Sequence, residues 1–238
     1  MGLTGLFIDG IMIDWEGISP SSYLRDIEAF SGMESIPLMA PVTFFVGENG
    51  TGKSTLLEAM AVSWGFNPEG GTVNYNFSTY DSHSELGEHV TLSRGASRPS
   101  RAYFYRAESF YNVATMEEEY RADSSGLYHH RSHGEGFLKL MDDELREGGL
   151  YLMDEPESAL SPQRQLSLLA DIHFTASRGA QFIIVTHSPI LLGLPGADII
   201  SFDGPLKHVD YEDTESYRVT SLFMKDRVRL LHSLLRDD

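Results

Sequence analysis

The segment from residue 42 to residue 59 constrains the fold of this chain more than any other. It reads V-T-F-F-V-G-E-N-G-T-G-K-S-T-L-L-E-A. An apolar run of β-branched and aromatic residues ends at Gly47, which predicts a buried strand, and helix-forming residues begin at Lys53. The glycines between them allow backbone conformations that other residues avoid. The segment therefore predicts a strand, a glycine-rich loop and a helix in succession, the unit from which α/β sheets are built.

The loop matches the phosphate-binding pattern G-x-x-x-x-G-K-S. In such a loop, successive backbone N–H groups point toward an anion, and the following helix adds the positive end of its dipole. Lys53 would supply a charge to the β- and γ-phosphates, and Ser54 a hydroxyl to Mg²⁺. The chain is therefore expected to bind a nucleoside triphosphate. The predicted nucleotide-binding residues are Gly47, Glu48, Asn49, Gly50, Thr51, Gly52, Lys53, Ser54 and Thr55.

Two adjacent carboxylates follow a second apolar strand, in the sequence L-Y-L-M-D-E-P from Leu150 to Pro156. Asp154 suits Mg²⁺ and its waters, and Glu155 can orient or deprotonate an attacking water. Because proline disfavours helical backbone in the residue before it, we expect Pro156 to hold Glu155 extended. Beside a phosphate-binding loop, the two acids predict hydrolysis of the bound nucleotide rather than a solvated strand end.

Polar residues follow two further strands, where α/β sheets place ligand groups. His187 follows F-I-I-V-T. A packed histidine would be ordinary there, but beside the other strand-end motifs we predict that it contacts the γ-phosphate. Glu108 follows the strand from Arg101 to Arg106 and is a candidate ligand group, while Ser54 and Asp154 are the residues predicted to hold the metal. Tyr23 is the predicted platform for the base, with Trp15 and Phe30 as alternatives.

Composition narrows the class of protein. The 238 residues suit one domain, residues 1–238, and the absence of cysteine excludes disulfides and thiolate metal sites. The apolar runs are interrupted by charges and prolines, so we expect a cytoplasmic protein without a membrane span. A net charge of −17 disfavours attachment to DNA, although four arginines lie close together in sequence and leave direct nucleic-acid binding open. These arginines are Arg94, Arg98, Arg101 and Arg106.

The remaining pattern predicts secondary structure around these motifs. We expect a strand or hairpin in residues 3–15, and a hairpin formed by residues 73–79 and 89–93. Helices are expected over residues 163–177 and 221–235, and a last core strand over residues 198–202. Ser132 is predicted to cap a helix whose free N–H groups could face an anion. A metal site at His129, His130 and His133 is disfavoured, because no carboxylate or cysteine lies nearby at a recognised ligand spacing.

In their order along the chain, these motifs resemble the ABC-type ATPase superfamily. The resemblance rests on Gly47 to Ser54 as Walker A, Ser132-His133-Gly134-Glu135 as signature, Leu150 to Glu155 as Walker B, Ser158 to Ser161 as D-loop, and His187 as switch histidine. Strings such as D-E-P-E-S-A-L-S-P and T-H-S-P-I-L are similar to those of small stand-alone bacterial ATPases of AAA/ABC-like type. The resemblance implies an α/β P-loop NTPase fold: a mixed central sheet flanked by helices, an N-terminal β subdomain, and a short helical lobe over residues 109–148.

The resemblance also implies ATP and Mg²⁺ as cofactors, and an ATP-dependent homodimer with two ATP molecules between head-to-tail subunits. Ser132, His133, Gly134 and Glu135 would then face the partner's nucleotide, Glu155 would act on water, and His187 would contact the γ-phosphate in its own subunit. Three positions depart from the transporter pattern. The signature reads R-S-H-G-E, and Ser161 replaces the D-loop aspartate. Glu108 replaces the Q-loop glutamine, and the resemblance implies that it joins Ser54 and Asp154 at the metal.

Three functions are compatible with the motifs to different degrees. The leading hypothesis is an ATP-driven dimerisation switch acting on an unknown macromolecular partner, with nucleic-acid maintenance or defence suggested by family analogy. The alternative is the ATPase subunit of a membrane transporter, but the segment from Glu108 to Ser132 is short for the lobe that grips a membrane partner. A nucleotide-binding module without turnover is disfavoured, because Asp154 and Glu155 are both present.

Overall fold

The computed structural model describes residues 5–73, 84–109 and 133–236. The strands in these ranges are β1 Ile8–Ile13, β2 Ser35–Pro37, β3 Val42–Val46, β4 Val90–Arg94, β5 Ala102–Arg106, β6 Leu150–Asp154, β7 Gln181–Val185, β8 Asp198–Ser201 and β9 Lys207–His208. The helices are α1 Lys53–Trp64, α2 Leu86–His89, α3 His133–Glu144, α4 Pro162–Ala176, α5 Pro189–Leu192, α6 Glu215–Lys225 and α7 Arg227–Leu234. Single 3₁₀ turns lie at Tyr23–Asp26, Pro156–Ala159 and Tyr211–Asp213.

The central layer is a six-stranded sheet in the order β5-β6-β7-β3-β8-β9. The strands from β5 to β8 run parallel, and β9 is antiparallel to β8. Every residue of β3, β6 and β7 is buried. Continuous apolar strands of this kind are typical of a parallel sheet covered on both faces. The predicted α/β fold with a mixed central sheet is confirmed.

A second sheet, antiparallel and three-stranded, has the order β2-β1-β4. It corresponds to the predicted N-terminal β subdomain, with β1 in the middle and an irregular register between Ile8 and Gly10. The first strand of the predicted hairpin, residues 73–79, lies outside the described residues except for residue 73. Its described strand, β4, begins at Val90 and pairs with β1.

Two apolar cores cover the two faces of the central sheet. Successive residues of β3 point to opposite faces, so Phe45 joins the first core and Phe44 the second. The first core lies among the small sheet, α1 and the central sheet. Residues of α3, α4 and α5 contribute to the second core. Phe137 of α3 and Leu168 of α4 are fully buried in it. The arrangement fixes the carboxyl ends of β3, β6, β7 and β8 along one edge of the sheet.

The predicted single helix over residues 221–235 is wrong. The structure has two helices, and Asp226 separates them with φ −148° and ψ 65°. Its side chain accepts a hydrogen bond from the backbone N–H of Arg229 at 3.1 Å, so Asp226 caps the amino terminus of α7. In the part of the chain that the structure describes, no helix has the length and apolar character needed to cross a membrane.

Candidate functional site

Lys53 is the first residue of α1, directly after the loop that follows β3. Its side chain is only 5% exposed, and Nζ donates hydrogen bonds to the carbonyl oxygens of Gly47 at 2.7 Å and Glu48 at 2.6 Å. Burial lowers the pKa of Lys53, and the carboxylates of Asp203, Glu155, Asp154 and Glu48 oppose that shift. The lysine therefore sits over the loop as a cation surrounded by backbone oxygens.

Glycine is required at both ends of the loop. Gly52 is the N-cap of α1 with φ 94°, and a Cβ there would lie 2.7 Å from Cγ2 of Ile27. At Gly47, with φ 141°, a Cβ would lie 2.9 Å from Oδ1 of Asp203. The N-cap residue Gly52 has no side chain that could cap the amino terminus of α1. It therefore does not compete with an anion for the first N–H groups of the helix.

Ser54 and Asp154 meet across the sheet edge. The hydroxyl of Ser54 donates to Oδ1 of Asp154 at 2.9 Å, and Nε of Arg106 lies 3.9 Å from Oδ2. Burial raises the pKa of Asp154 to about 6, although the Ser54 hydrogen bond and Arg106 both favour the ionised form. Arg106 is itself held by Glu58, which accepts a hydrogen bond from Nη1 at 2.8 Å. A hydroxyl beside a carboxylate is a ligand pair that suits Mg²⁺.

Glu155 adopts a left-handed backbone, which corrects the expectation that Pro156 holds it extended. Its φ is 50° and its ψ is 53°, and among the described residues it is the one non-glycine residue with positive φ. The reason is the tight turn after β6, where the chain passes from the sheet directly into the 3₁₀ turn at Pro156–Ala159. Backbone strain of this kind costs about 1–3 kcal/mol and recurs at functional sites.

His187 lies beside Glu155 on the same edge. Nε2 of His187 is 3.9 Å from Oε1 of Glu155, and both side chains are partly exposed. The pair lines a groove of about 1450 Å³ that also includes Gly47, Glu48 and Asn49. Thr51 stays outside this groove lining and donates its hydroxyl to the carbonyl of Glu48 at 2.9 Å. Three of the strand-end motifs from the sequence are thus brought together.

Two carboxylates of this edge were missed by the sequence reasoning. Oε1 of Glu157 accepts the backbone N–H of His187 at 2.7 Å. Burial raises the pKa of Glu157. Oδ1 of Asp203 accepts the backbone N–H of Glu48 at 2.8 Å. The signal for Asp203 was its position just past β8, but Glu157 lies in a turn where nothing local indicates burial.

The signature residues are only partly described. Ser132 lies outside the described residues, as do His129 and His130, and α3 begins at His133. Gly134 packs closely on the D-loop, since a Cβ would lie 2.6 Å from the carbonyl oxygen of Ala159. Glu135 accepts a hydrogen bond from Nη2 of Arg164 at 3.2 Å, so its charge is balanced within the subunit.

The predicted base platform lies in a second groove. Tyr23 is 56% exposed, donates to Oγ of Ser84 at 3.0 Å, and shares a groove of about 690 Å³ with Ser54 and Thr55. Of the alternatives, Phe30 is fully buried, and Trp15 packs on it while donating Nε1–H to the carbonyl of Met33. Tyr23 is therefore the one of the three placed beside the phosphate-binding loop with its ring accessible.

Glu108 is the most open of the predicted metal residues. Its side chain is 90% exposed, and Oε2 lies 3.8 Å from Nη2 of Arg106. The structure therefore places it beside the arginine that faces Asp154, and its role at the metal stays a prediction. Within the described ranges, no group of three or more His, Asp and Glu side chains is arranged to hold a metal. Two protein ligands are enough for Mg²⁺ bound with substrate phosphates.

The arginine cluster does not form a free basic patch. Arg94 lies over the ring of Trp64, with 4.4 Å from Cζ to the ring centroid. Arg101 pairs with Glu144, and Arg106 pairs with Glu58. Three of the four arginines thus have partners within the chain.

Comparison with known proteins gives two family matches that together run through most of these motifs. A family model described as "AAA domain" matches residues 23–125. A second, described as "AAA domain, putative AbiEii toxin, Type IV TA system", matches residues 120–193. No curated protein matches the sequence.

Among solved structures, the SMC head domain from Thermotoga maritima is 14% identical, with 86% of this chain and all of that chain covered and a TM-score of 0.47. A structure described as "An inward-facing conformation of a putative metal-chelate type ABC transporter" is 20% identical, covering 92% of this chain and 90% of that chain with a TM-score of 0.44. The two AAA matches cover both the phosphate-binding loop and the Asp154-Glu155 pair. These two matches support a P-loop ATPase of the class that includes the ABC and AAA types.

Proposed function

We propose that the protein is a single ATPase domain that binds and hydrolyses Mg-ATP. ATP would drive two copies into a dimer, and the dimer would signal to a macromolecular partner. The observation that carries the proposal is the contact of 2.9 Å between Ser54 and Asp154, directly beside the buried Lys53. A hydroxyl, a carboxylate and a lysine at the amino terminus of a helix are the groups that hold a magnesium-bound triphosphate.

Each residue has a distinct task in this proposal. Lys53 would leave the carbonyl oxygens of its own loop for the β- and γ-phosphates, while Ser54 and Asp154 hold the metal. Bound Mg²⁺ would neutralise the developing charge on the phosphates. Glu155 would accept the proton of an attacking water. His187, whose Nε2 lies 3.9 Å from Oε1 of Glu155, would contact the γ-phosphate. Tyr23 would stack on the base.

The dimer proposal is supported by what lies on the open edge. Glu155 and His187 are partly exposed and line a groove that is open to solvent. Hydrolysis needs a site that excludes bulk water, which a second subunit would provide. The partner's Ser132 and Gly134 would then reach the γ-phosphate.

Two substitutions test the ATPase proposal. Lys53→Ala should abolish ATP binding, because it removes the charge aimed at the phosphates from a loop whose backbone is otherwise unchanged. Glu155→Gln should keep ATP binding and slow hydrolysis by roughly two to four orders of magnitude, because only the base is lost. Binding is measured by isothermal titration calorimetry and turnover by phosphate release.

Lys139→Ala is the matched control, since Lys139 pairs with Asp143 on a helix surface at 2.7 Å. It should leave binding and turnover unchanged. Turnover at the wild-type rate in either Lys53→Ala or Glu155→Gln would contradict the assignment.

A further inference from the structure

The last two helices leave their apolar residues uncovered. No residue of α6 or α7 is buried. Met224 is 76% exposed and Val228 is 73% exposed, on either side of the capping residue Asp226. The other large apolar side chains exposed on this helix pair are Val219, Leu222, Phe223, Leu234 and Leu235. Exposed large apolar side chains concentrated on one helix pair indicate an interaction site.

The helix pair is also basic, whereas the chain as a whole carries a net charge of −17. Residues 216–236 contain five basic side chains and one acidic side chain, Asp226. The basic residues are Arg218, Lys225, Arg227, Arg229 and Arg236. Directly before the pair, residues 203–215 reverse this balance with five acidic side chains and one lysine, Lys207. These acids are Asp203, Asp210, Glu212, Asp213 and Glu215.

The amino terminus of α6 is fixed beside the sheet edge at which ATP is proposed to bind. Tyr211 donates its hydroxyl to the carbonyl of Pro189 at 2.8 Å, and Thr214 is buried and caps α6 through the N–H of Tyr217. Residues of α6 line the same groove as Glu155 and His187. The uncovered apolar face is therefore continuous with the edge at which ATP is proposed to bind.

We propose that the α6–α7 helix pair docks on the acidic segment, residues 203–215, of a second copy of this chain, and that the second copy does the same in return. An interface with two-fold symmetry must be self-complementary. Each contact between one surface of the first copy and another surface of the second copy is repeated with the two copies exchanged. A basic apolar element next to an acidic one on a single edge meets that requirement. The inference rests on the proposed ATP-driven dimer and specifies which surface forms it.

Local charge favours a second copy as the occupant. The net charge of −17 repels DNA, anionic membranes and a second copy alike, so the short-range match of basic and acidic segments decides. A second copy offers its acidic segment at short range, within about 10 Å, where salt screens attraction least. Arg218 already pairs with Asp213 inside the chain, so the residues left to contact a partner are those from Lys225 onward.

The first test removes the apolar contact. Met224→Glu with Val228→Glu, made in the Glu155→Gln protein and studied with Mg-ATP by sedimentation velocity, should weaken dimerisation about tenfold for each side chain. Burial of a large apolar side chain contributes about that much to an association constant. The control is Met39→Glu with Phe174→Glu, also exposed apolar residues, which lie before β3 and near the end of α4. It should dimerise like the parent.

The second test uses the charges and guards against a merely misfolded variant. Arg227→Glu with Arg229→Glu should weaken the dimer, and mixing this variant with a second chain that carries Asp210→Arg with Glu212→Arg should restore it. Because Arg218 and Asp213 already join the two segments within one chain, only restoration on mixing requires that the segments meet across the interface. Dimerisation unchanged by Met224→Glu with Val228→Glu, or no restoration after the charge exchange, would overturn the inference.

The outcomes separate this inference from the proposed function. A dimer that depends on ATP but not on the helix pair overturns the docking surface and leaves the ATP switch standing. A dimer that depends on the helix pair but forms equally without ATP leaves the docking surface standing and overturns the switch. Binding of the parent to vesicles of equal parts phosphatidylcholine and phosphatidylglycerol, lost in Met224→Glu with Val228→Glu while the dimer persists, would assign the surface to membranes instead.

Discussion

At the scale of single residues, Asp154 combines two opposing demands. It must be ionised to hold a metal, yet burial raises its pKa from 3.8 to about 6. Between these pH values the folded protein binds a proton that the unfolded chain has lost. Stability therefore falls as pH rises from about 4 to about 6, and the ionised carboxylate then destabilises the nucleotide-free protein by about 3 kcal/mol at most.

Replacing Asp154 should expose this cost. Asp154→Asn is expected to raise the free energy of unfolding at pH 8 by roughly 1–3 kcal/mol, with the difference vanishing near pH 4. Urea denaturation at a series of pH values measures it. Mg-ATP should stabilise the parent and not the variant, since the variant lacks the metal ligand. A variant less stable than the parent at pH 8 would show that Asp154 is not a strained buried anion.

Glu157 connects the turn after Glu155 to the loop that carries His187. It accepts the N–H of His187 from the turn that begins at Glu155, so it holds the histidine loop against the Walker B turn. Glu157→Ala should therefore lower kcat by roughly ten- to a hundredfold with little change in ATP affinity, because a positioning contact is lost.

Glu157→Gln is the matched comparison for that experiment. It retains an oxygen that can accept the N–H of His187, so most of kcat should return. Stopped-flow hydrolysis and calorimetric ATP binding are measured for both variants. If Glu157→Gln is as slow as Glu157→Ala, the carboxylate charge rather than the hydrogen bond to His187 is what matters.

The sequence predicted residues whose role follows from their neighbours in the chain. Lys53, Asp154 and His187 each follow an apolar strand, and the parallel sheet brings those strand ends together. Glu157 and Asp203 act through partners 30 and 155 residues away, His187 and Glu48. No local pattern encodes such a contact. The left-handed backbone of Glu155 was not predicted for the same reason, because the turn after β6 determines it.

At the scale of elements, one buried side chain ties the two sheets together. Oε1 of Gln181, at the start of β7, accepts the N–H groups of Phe7 at 2.8 Å and Ile8 at 2.9 Å. Its Nε2 donates to the carbonyl of Ile8 at 2.7 Å. The start of β1 has its backbone groups satisfied by a side chain of the central sheet. In the sequence, Gln181 merely precedes an apolar run.

Gln181→Leu should lower the free energy of unfolding by about 2–5 kcal/mol, because buried backbone groups lose their partners. The change is measured by urea denaturation. Gln163→Leu, at an exposed position near the start of α4, should change stability by less than about 0.5 kcal/mol. Equal stabilities for the two variants would mean that the small sheet is held by its apolar contacts alone.

The elements predicted best were long and strongly patterned. The strands β3, β6 and β7 and the helix α4 lie within a few residues of their predicted ranges. The break at Asp226 was missed, because the apolar spacing runs through it and only the capping hydrogen bond to Arg229 ends one helix and begins the next. The pairing of β1 with β4 was also missed, since it joins strands about 80 residues apart.

At the scale of the whole molecule, charge and topology restrict what can approach the nucleotide edge. Three arginines have partners within the chain, namely Arg94, Arg101 and Arg106, and the net charge is −17. A surface that binds at this edge must therefore tolerate negative charge or carry positive charge. The described signature residue Gly134 packs on its own D-loop, and Glu135 is paired with Arg164. Neither contact reaches the phosphate-binding loop of the same subunit, which supports the proposal that a second subunit completes the site.

The dimer should therefore depend on the nucleotide and on Ser132. Glu155→Gln traps ATP, and because ATP would be held by two subunits in the dimer and by one in the monomer, its differential affinity shifts the population toward dimer. Adding Ser132→Arg places a bulky cation where the partner's γ-phosphate would be received and should return the protein to monomer while each monomer still binds ATP. Light scattering with and without Mg-ATP distinguishes the states, and calorimetry confirms that the nucleotide is bound. A Glu155→Gln protein that stays monomeric with ATP, or a dimer undiminished by Ser132→Arg, would mean that hydrolysis is completed within one subunit.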